Sequence, residues 1–507
     1  MDNRGNPASI RDNQSPLCYN IDLDQHGKIS KRRGSKYLFS TAKAAAITWM
    51  EQFRNADGTT KLVYTTGTDL RACDVDGTSD ASIVGALTLT TGQNYLFDSV
   101  YCTISGGPAI VGTNDQDAVW YWTGSGNAAV LSTVTAMPTK AKCVEWFENY
   151  LILANIVDRT SGSRYTNYFT WSAINAPTDW STSASNFIRI GSATDPIVAI
   201  QKFQNKIEVL KEHSIWLVTY SASLGFVPEL INPDIGCAAR NTVAIADDKL
   251  FFLSHDGVYA YQGNLGADEE AVMKISNQLE AESWETNWHT ARKDKACAAY
   301  YRTRNQYRIF IAEGATQEAA DQNRTYYAYH THLGSWTKGG TTANCAAIVQ
   351  DGSRQRLYVG DYSGQINRLD YFDTDDGAYV DNDNGTAIDA YWYTKDYDMG
   401  MPGRDKGWHK AKVTMSSTTT AQTLTVGQYT DYGDFRTSGS LSMQASGALL
   451  DEFVLDVDVL GGGSTAQASL NLTGYSETAR FKLANSNNNE HFTILALSIE
   501  FEPAEAF

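Results

Sequence analysis

The chain has 507 residues and carries 41 Lys and Arg against 58 Asp and Glu, a net charge of −17. That length can bury a large core and divide into more than one domain. The acidic balance argues against a reader of nucleic-acid sequence, which needs a basic face to neutralise phosphates; it fits a merely soluble protein, or a wall past which DNA slides without sticking.

Ten Pro, forty Gly and almost no sustained 3.6-residue apolar periodicity point to an all-β chain. No apolar run approaches the roughly 20 residues that span a bilayer, so no membrane insertion is expected. The polar start, MDNRGNPASIRDNQ, lacks the apolar stretch of a signal peptide. Seven Cys, an odd number with no CxxC, fit synthesis in a reducing cytoplasm.

Residues 1–40 read as a strand (Leu17 to Asp22), a Gly turn and a second strand (Gly27 to Gly34). They are expected to complete the last blade of a closed ring and so remove its open edge. Lys31, Arg32 and Arg33 form the one basic cluster. It suits an acidic partner or a phosphate, but the favoured reading is a solvated strand end.

Residues 41–378 repeat one pattern, clearest at 248–263 (DKLFFLSHDGVYAYQG), where Asp256-Gly257 divides an apolar run from an alternating one. Asp-Gly between such runs signals a β-hairpin. Copies start at 61, 107, 149, 205, 305 and 354, each pairing an apolar strand with a return strand that carries a large residue. A spacing of roughly 40–50 residues predicts a β-propeller of four-stranded blades, seven in number, with six or eight as the alternatives. Longer intervals are assigned to insertions: a polar tip at 158–165, another at 314–324, and an acidic segment at 267–290. Cys102, Cys143, Cys237, Cys297 and Cys345 precede hairpin copies and are read as packing in crowded inner strands. Trp120, Trp171, Trp216, Tyr259 and Tyr327 recur at matched positions, which favours blade-to-blade packing over ligand stacking.

Residues 379–507 form the second expected domain. Asp381, Asp383 and Gly385 make a D-x-D-x-G that could ligate Ca²⁺; it lacks the later Glu of an EF-hand, and ordinary turn chemistry is favoured. Strands are expected at 408–415, 422–429, 440–445, 452–459, 466–472, 479–483 and 491–501, with turns every eight to twelve residues, as in a β-sandwich. Phe492, Ile494 and Ala496 alternate with Leu495, Leu497, Ile499 and Phe501, which predicts a last strand buried on both faces.

Three blocks together resemble tail nozzle proteins of short-tailed bacteriophages, also called tail tubular or packaged-DNA stabilisation proteins. They are Leu17, Asn20, Asp22, Gly27, Ile29, Arg32, Arg33 and Gly34; Asp195 to Trp216 (DPI…S-I-W); and Ile235 to Tyr259 (I-G-C…N-T-V…S-x-D-G-V-Y). Lys395 to Gly400, Lys406 and Gln428 to Asp431 extend the resemblance to the C-terminal part. It implies a structural virion protein, assembled in the host cytoplasm, that forms a ring of copies, six by expectation. That ring would extend the portal–adaptor channel, retain packaged DNA, pass it without reading it, and dock tail fibres or spikes. The alternative is a receptor- or carbohydrate-binding propeller at the tail tip.

No catalytic, cofactor or metal site is expected. Ser254-His255-Asp256-Gly257 superficially resembles the Asp-box of propeller glycosidases and sialidases, but the order is wrong, the Trp is missing and the pattern does not recur. His255, His330, His332 and His409 suit acid–base work by residue type alone, and loop or surface histidines are the favoured reading. His330-Thr331-His332 would set two imidazoles on one strand face without an evident third ligand. G-x-S-x-G, HExxH and P-loop motifs are absent.

Overall fold

Each hairpin copy folds into the second and third strands of a four-stranded antiparallel sheet, and there are seven such sheets. In the leading copy, Lys249–Ser254 pairs with Gly257–Tyr261, with Leu250 opposite Tyr261 and Ser254 opposite Gly257. The turn residues are therefore His255 and Asp256. Gly257 is needed for space: a Cβ there would collide with Ser276 Oγ. The computed structural model describes residues 1–3, 6–24, 26–90, 97–181, 186–263, 271–279, 288, 290–314, 322–375, 377–418, 420–431, 433–444 and 465–504.

The blades span 47–82, 98–130, 140–189, 197–232, 239–274, 297–340 and 345–368, the last completed by Lys36–Tyr37. First strands of neighbouring blades lie against one another around the axis, and blade 7 meets blade 1 there. The expected all-β propeller with a C-terminal sandwich is the observed fold. Cys102, Cys143, Cys297 and Cys345 lie in first strands and Cys237 just ahead of one; all seven thiols are buried and outside any disulfide.

The N-terminal region departs from expectation. Only Lys36–Tyr37 closes the propeller, through Tyr37 opposite Asn367 and the Leu38 N–H donating to Ile366 O at 2.8 Å. The strands before it enter the sandwich. Cys18–Tyr19 edges a sheet continued by Ala390–Tyr393, Ala479–Asn485, Thr423–Thr430 and Asp434–Ser442. Ile21–Leu23 and Ile29–Lys31 edge the other, beside Thr493–Pro503, Lys406–Ser416 and Thr465–Asn471. Cys18 and Ile21 are buried in one apolar cluster with Trp392, Leu483, Phe492 and Ile494; the sandwich core takes these strands because it has apolar surface to cover.

The last strand is not buried on both faces. Its ladder shifts between Thr414–Ala496 and Met415–Ile494, leaving Leu495 as an extra residue. Such a bulge reverses the side-chain alternation, so Ile494 joins Leu497, Ile499 and Phe501 toward apolar neighbours, while Ala496, Ser498 and Glu500 face solvent. Val272–Lys274, inside the segment assigned to an insertion, is the outer strand of blade 5. The strand expected at 452–459, and residues 315–321 of the insertion at 314–324, lie outside the described residues.

Candidate functional site

The basic cluster and the Asp-rich turn meet each other. Arg32 donates to both carboxylate oxygens of Asp383 at 3.0 and 2.5 Å, to Asn20 Oδ1 at 2.8 Å and to the Gly340 carbonyl at 3.1 Å. Arg33 donates to Asp381 Oδ1 at 2.8 Å. Lys31 is fully buried, its ammonium donating to Asn485 Oδ1 at 2.7 Å and the Asn487 carbonyl at 3.1 Å, and burial pulls its pKa down to about 8. These residues are neither a solvated strand end nor an open phosphate site: both oxygens of Asp383 and Oδ1 of Asp381 are engaged by guanidinium groups, with Ser35 and His491 alongside. The reason is topological: crossing between propeller and sandwich, the strand carries its charges into the junction, where counter-ions for Arg32 and Arg33 and amide and carbonyl acceptors for Lys31 make burial tolerable. Asp22 extends the network. It pairs with Arg304 at 3.2 Å and accepts from Gln306, while Arg308 donates to Asp370 at 2.9 Å.

The histidines separate. His330 ends a strand of blade 6 and is fully buried, its Nε2 3.1 Å from Thr337 Oγ1; burial lowers its pKa to about 4, so it is neutral. His332 lies in the following turn and is exposed, so the two never share a strand face. His409 is exposed, 3.5 Å from Glu502. His255, at the hairpin tip of blade 5, faces His213 of blade 4 with ring centroids 5.3 Å apart.

The propeller axis holds a small opening of about 190 Å³ that brings Glu51, Asp98 and Arg240 together. Asp98 accepts from the Val144 N–H at 2.8 Å, joining blade 2 to blade 3. Glu145 likewise accepts from Trp146 N at 2.9 Å and Lys202 N at 2.8 Å, joining blade 3 to blade 4. Glu51 accepts from Ser99 Oγ at 3.3 Å. Burial pushes Glu51 and Glu145 up to about 7 and raises Asp98. Arg240 donates to the Lys142 carbonyl, so a blade 5 side chain reaches blade 3 across the opening. Of the carboxylates here, Asp98 and Glu145 fasten strands. No spacing in the sequence marks them, because each comes from a different blade.

A larger cleft of about 860 Å³ opens beside the sandwich, lined by Leu23, Ile29, Trp392, Leu483, Ile494 and Leu497. Its mouth carries the Lys395–Asp12 pair at 2.7 Å. On the rim of blade 3 Tyr165, Tyr168 and Phe187 stack, with centroids 4.3 and 4.9 Å apart and interplanar angles of 14° and 6°, and Arg189 lies over Tyr168.

No family model matches the chain, and no curated protein matches it. Among solved structures, the extracellular domain of the putative hybrid two component system BT4673 from B. thetaiotaomicron aligns with 11% identity and a TM-score of 0.43, over 74% of this chain and 42% of that one. The extracellular domain of the putative one component system BT4673 aligns with 12% identity and a TM-score of 0.43, over 74% and 43%. The chain therefore spans less than half the length of either.

Proposed function

We propose that this chain is a structural virion protein, the tail nozzle of a short-tailed phage. Copies form a ring, six by expectation, that extends the portal–adaptor channel, retains packaged DNA and docks fibres or spikes. One observation carries the reading: several of the residues behind the resemblance act as ties. Asn20 and Arg32 fasten the junction of propeller and sandwich. Asp195 accepts from His213 N at 2.9 Å and Ser214 Oγ at 2.6 Å, and Trp216 donates to Ser214 Oγ at 2.9 Å. Gly34 and Gly236 stand where a Cβ would meet the carbonyls of Asn382 and Glu212. A signature made of ties suits a component selected for rigidity.

DNA would pass between copies. The axial opening of one propeller is too small for a duplex and Arg240 reaches across it. A net charge of −17 would limit sticking during ejection. Native mass spectrometry of the purified chain, alone and with a portal–adaptor complex, tests this. Ring formation or stoichiometric addition is expected; a persistent monomer that ignores the complex overturns it.

The rim stack of Tyr165, Tyr168 and Phe187 favours a second reading, a receptor- or carbohydrate-binding propeller at the tail tip, since Phe187 is 38% exposed. Binding on a glycan array that Tyr168→Ala abolishes would select it over the nozzle.

A further inference from the structure

Blades 4 and 5 present corresponding two-residue turns side by side. In blade 4 the turn is Glu212-His213, between Lys206–Lys211 and Ile215–Ser221; in blade 5 it is His255-Asp256. The copies align at a shift of 43 residues, setting Glu212 against His255 and His213 against Asp256. The fold closes the gap between them. A carboxylate oxygen of Glu212 and one ring nitrogen each of His213 and His255 all lie within 4.8 Å of one another.

The backbone under these groups is fixed from several sides. Glu212 N donates to Pro196 O at 3.0 Å and His213 N to Asp195 Oδ1 at 2.9 Å. The Lys293 ammonium donates to the His255 carbonyl at 2.7 Å. A Cβ on Gly236 would strike the Glu212 carbonyl, so the neighbouring segment is packed against the tip as well. The three side-chain ends, by contrast, are free: among the described residues none has a hydrogen-bond or ion-pair partner, and the imidazoles meet only each other. Fixed backbones holding two imidazoles and a carboxylate, otherwise unengaged, at a common point make a ligand set.

We propose that Glu212, His213 and His255 bind a divalent first-row transition ion, which straps blade 4 to blade 5. Bonds of about 2.0–2.2 Å to such an ion set ligand atoms roughly 3–4 Å apart, a contraction that exposed side chains reach by rotating about χ angles. Two nitrogen ligands favour Zn²⁺, Ni²⁺ or Cu²⁺ over Mg²⁺ and Ca²⁺, which prefer oxygen. Three protein ligands leave at least one position for water or for a group from a partner.

The test is Zn²⁺ titration of the full chain, stripped with chelator, by isothermal calorimetry. Wild type is expected to bind one ion per chain, His213→Ala and His255→Ala each to weaken that binding at least tenfold, and Glu212→Gln to weaken it less. His332→Ala, which removes an exposed imidazole elsewhere, is expected to bind as wild type does. Thermal unfolding with and without Zn²⁺ gives a second readout, a rise in Tm for wild type that both His variants lose. Absence of saturable one-to-one binding in wild type, or equal binding by wild type and both His variants, overturns the site.

Discussion

Arg32 and Asp383 meet across 351 residues of sequence, and their pairing converts two apparent ligand sites into one internal fastening. Removing one member leaves the other charge in a largely desolvated place, a change that typically costs about 3–5 kcal/mol when both are buried. Asp383 keeps 31% of its side-chain exposure, so Arg32→Met is expected to cost somewhat less, about 2–3 kcal/mol. Arg32→Met with Asp383→Asn should recover part of that loss, and urea unfolding of the single and double variants measures it. The sequence displays both halves plainly as R-R-G and D-x-D-x-G. It cannot display their meeting, because a pairing over that separation follows from the path of the chain. His213 and Glu212 are different: comparing the two hairpin copies residue by residue sets them opposite the His255 turn, and that signal is present in the sequence alone.

The repeated hairpin is the most legible element, since each copy carries its own turn and its own apolar strand; the seven expected starts fall within one residue of observed second strands. Less legible are elements whose partners are remote. Lys36–Tyr37 and Cys18–Tyr19 are two-residue strands, too short for periodicity, and their sheets are chosen by tertiary surface. The bulge at Leu495 is likewise invisible to an alternation rule that presumes a regular ladder. Closure of blade 7 leads to a prediction. Leu38→Pro removes the N–H that donates to Ile366 O, and it should lower Tm by several degrees. Limited proteolysis should then cut near residues 38–45 in the variant and spare that stretch in wild type.

The assembled ring of blades holds carboxylates it would not tolerate if they were charged. Glu208 is 2% exposed beside Tyr261 of blade 5, and burial raises its pKa to about 8. The folded chain therefore keeps a proton that the unfolded chain releases above about 4.5, so this group's contribution falls as pH rises from there to about 8. Glu208→Gln cannot ionise and should escape that fall. Its stability relative to wild type is expected to be near equal at pH 4.5 and higher at pH 8.5, by an amount on the order of a few kcal/mol. Buried His330 acts in the opposite sense: its lowered pKa, about 4, withdraws stability as pH drops below 6.5. Denaturant midpoints for Glu208→Gln and wild type across that range isolate the Glu term. A difference that does not grow with pH would refute it.

The path of the first forty residues also sets a schedule for biosynthesis. Ile29–Lys31 pairs with Thr493–Pro503, and Lys36–Tyr37 with Ile366–Arg368. At about 5–20 residues per second, the ribosome takes on the order of tens of seconds after making these strands before their partners emerge. Until then Ile29–Lys31 has only its hairpin neighbour Ile21–Leu23 and Lys36–Tyr37 lacks its ladder, which is the condition in which nascent chains aggregate or recruit a chaperone. The later-translated segments thus lock the earlier ones, and a chain that stops before residue 493 leaves Ile29–Lys31 without one of its two neighbouring strands.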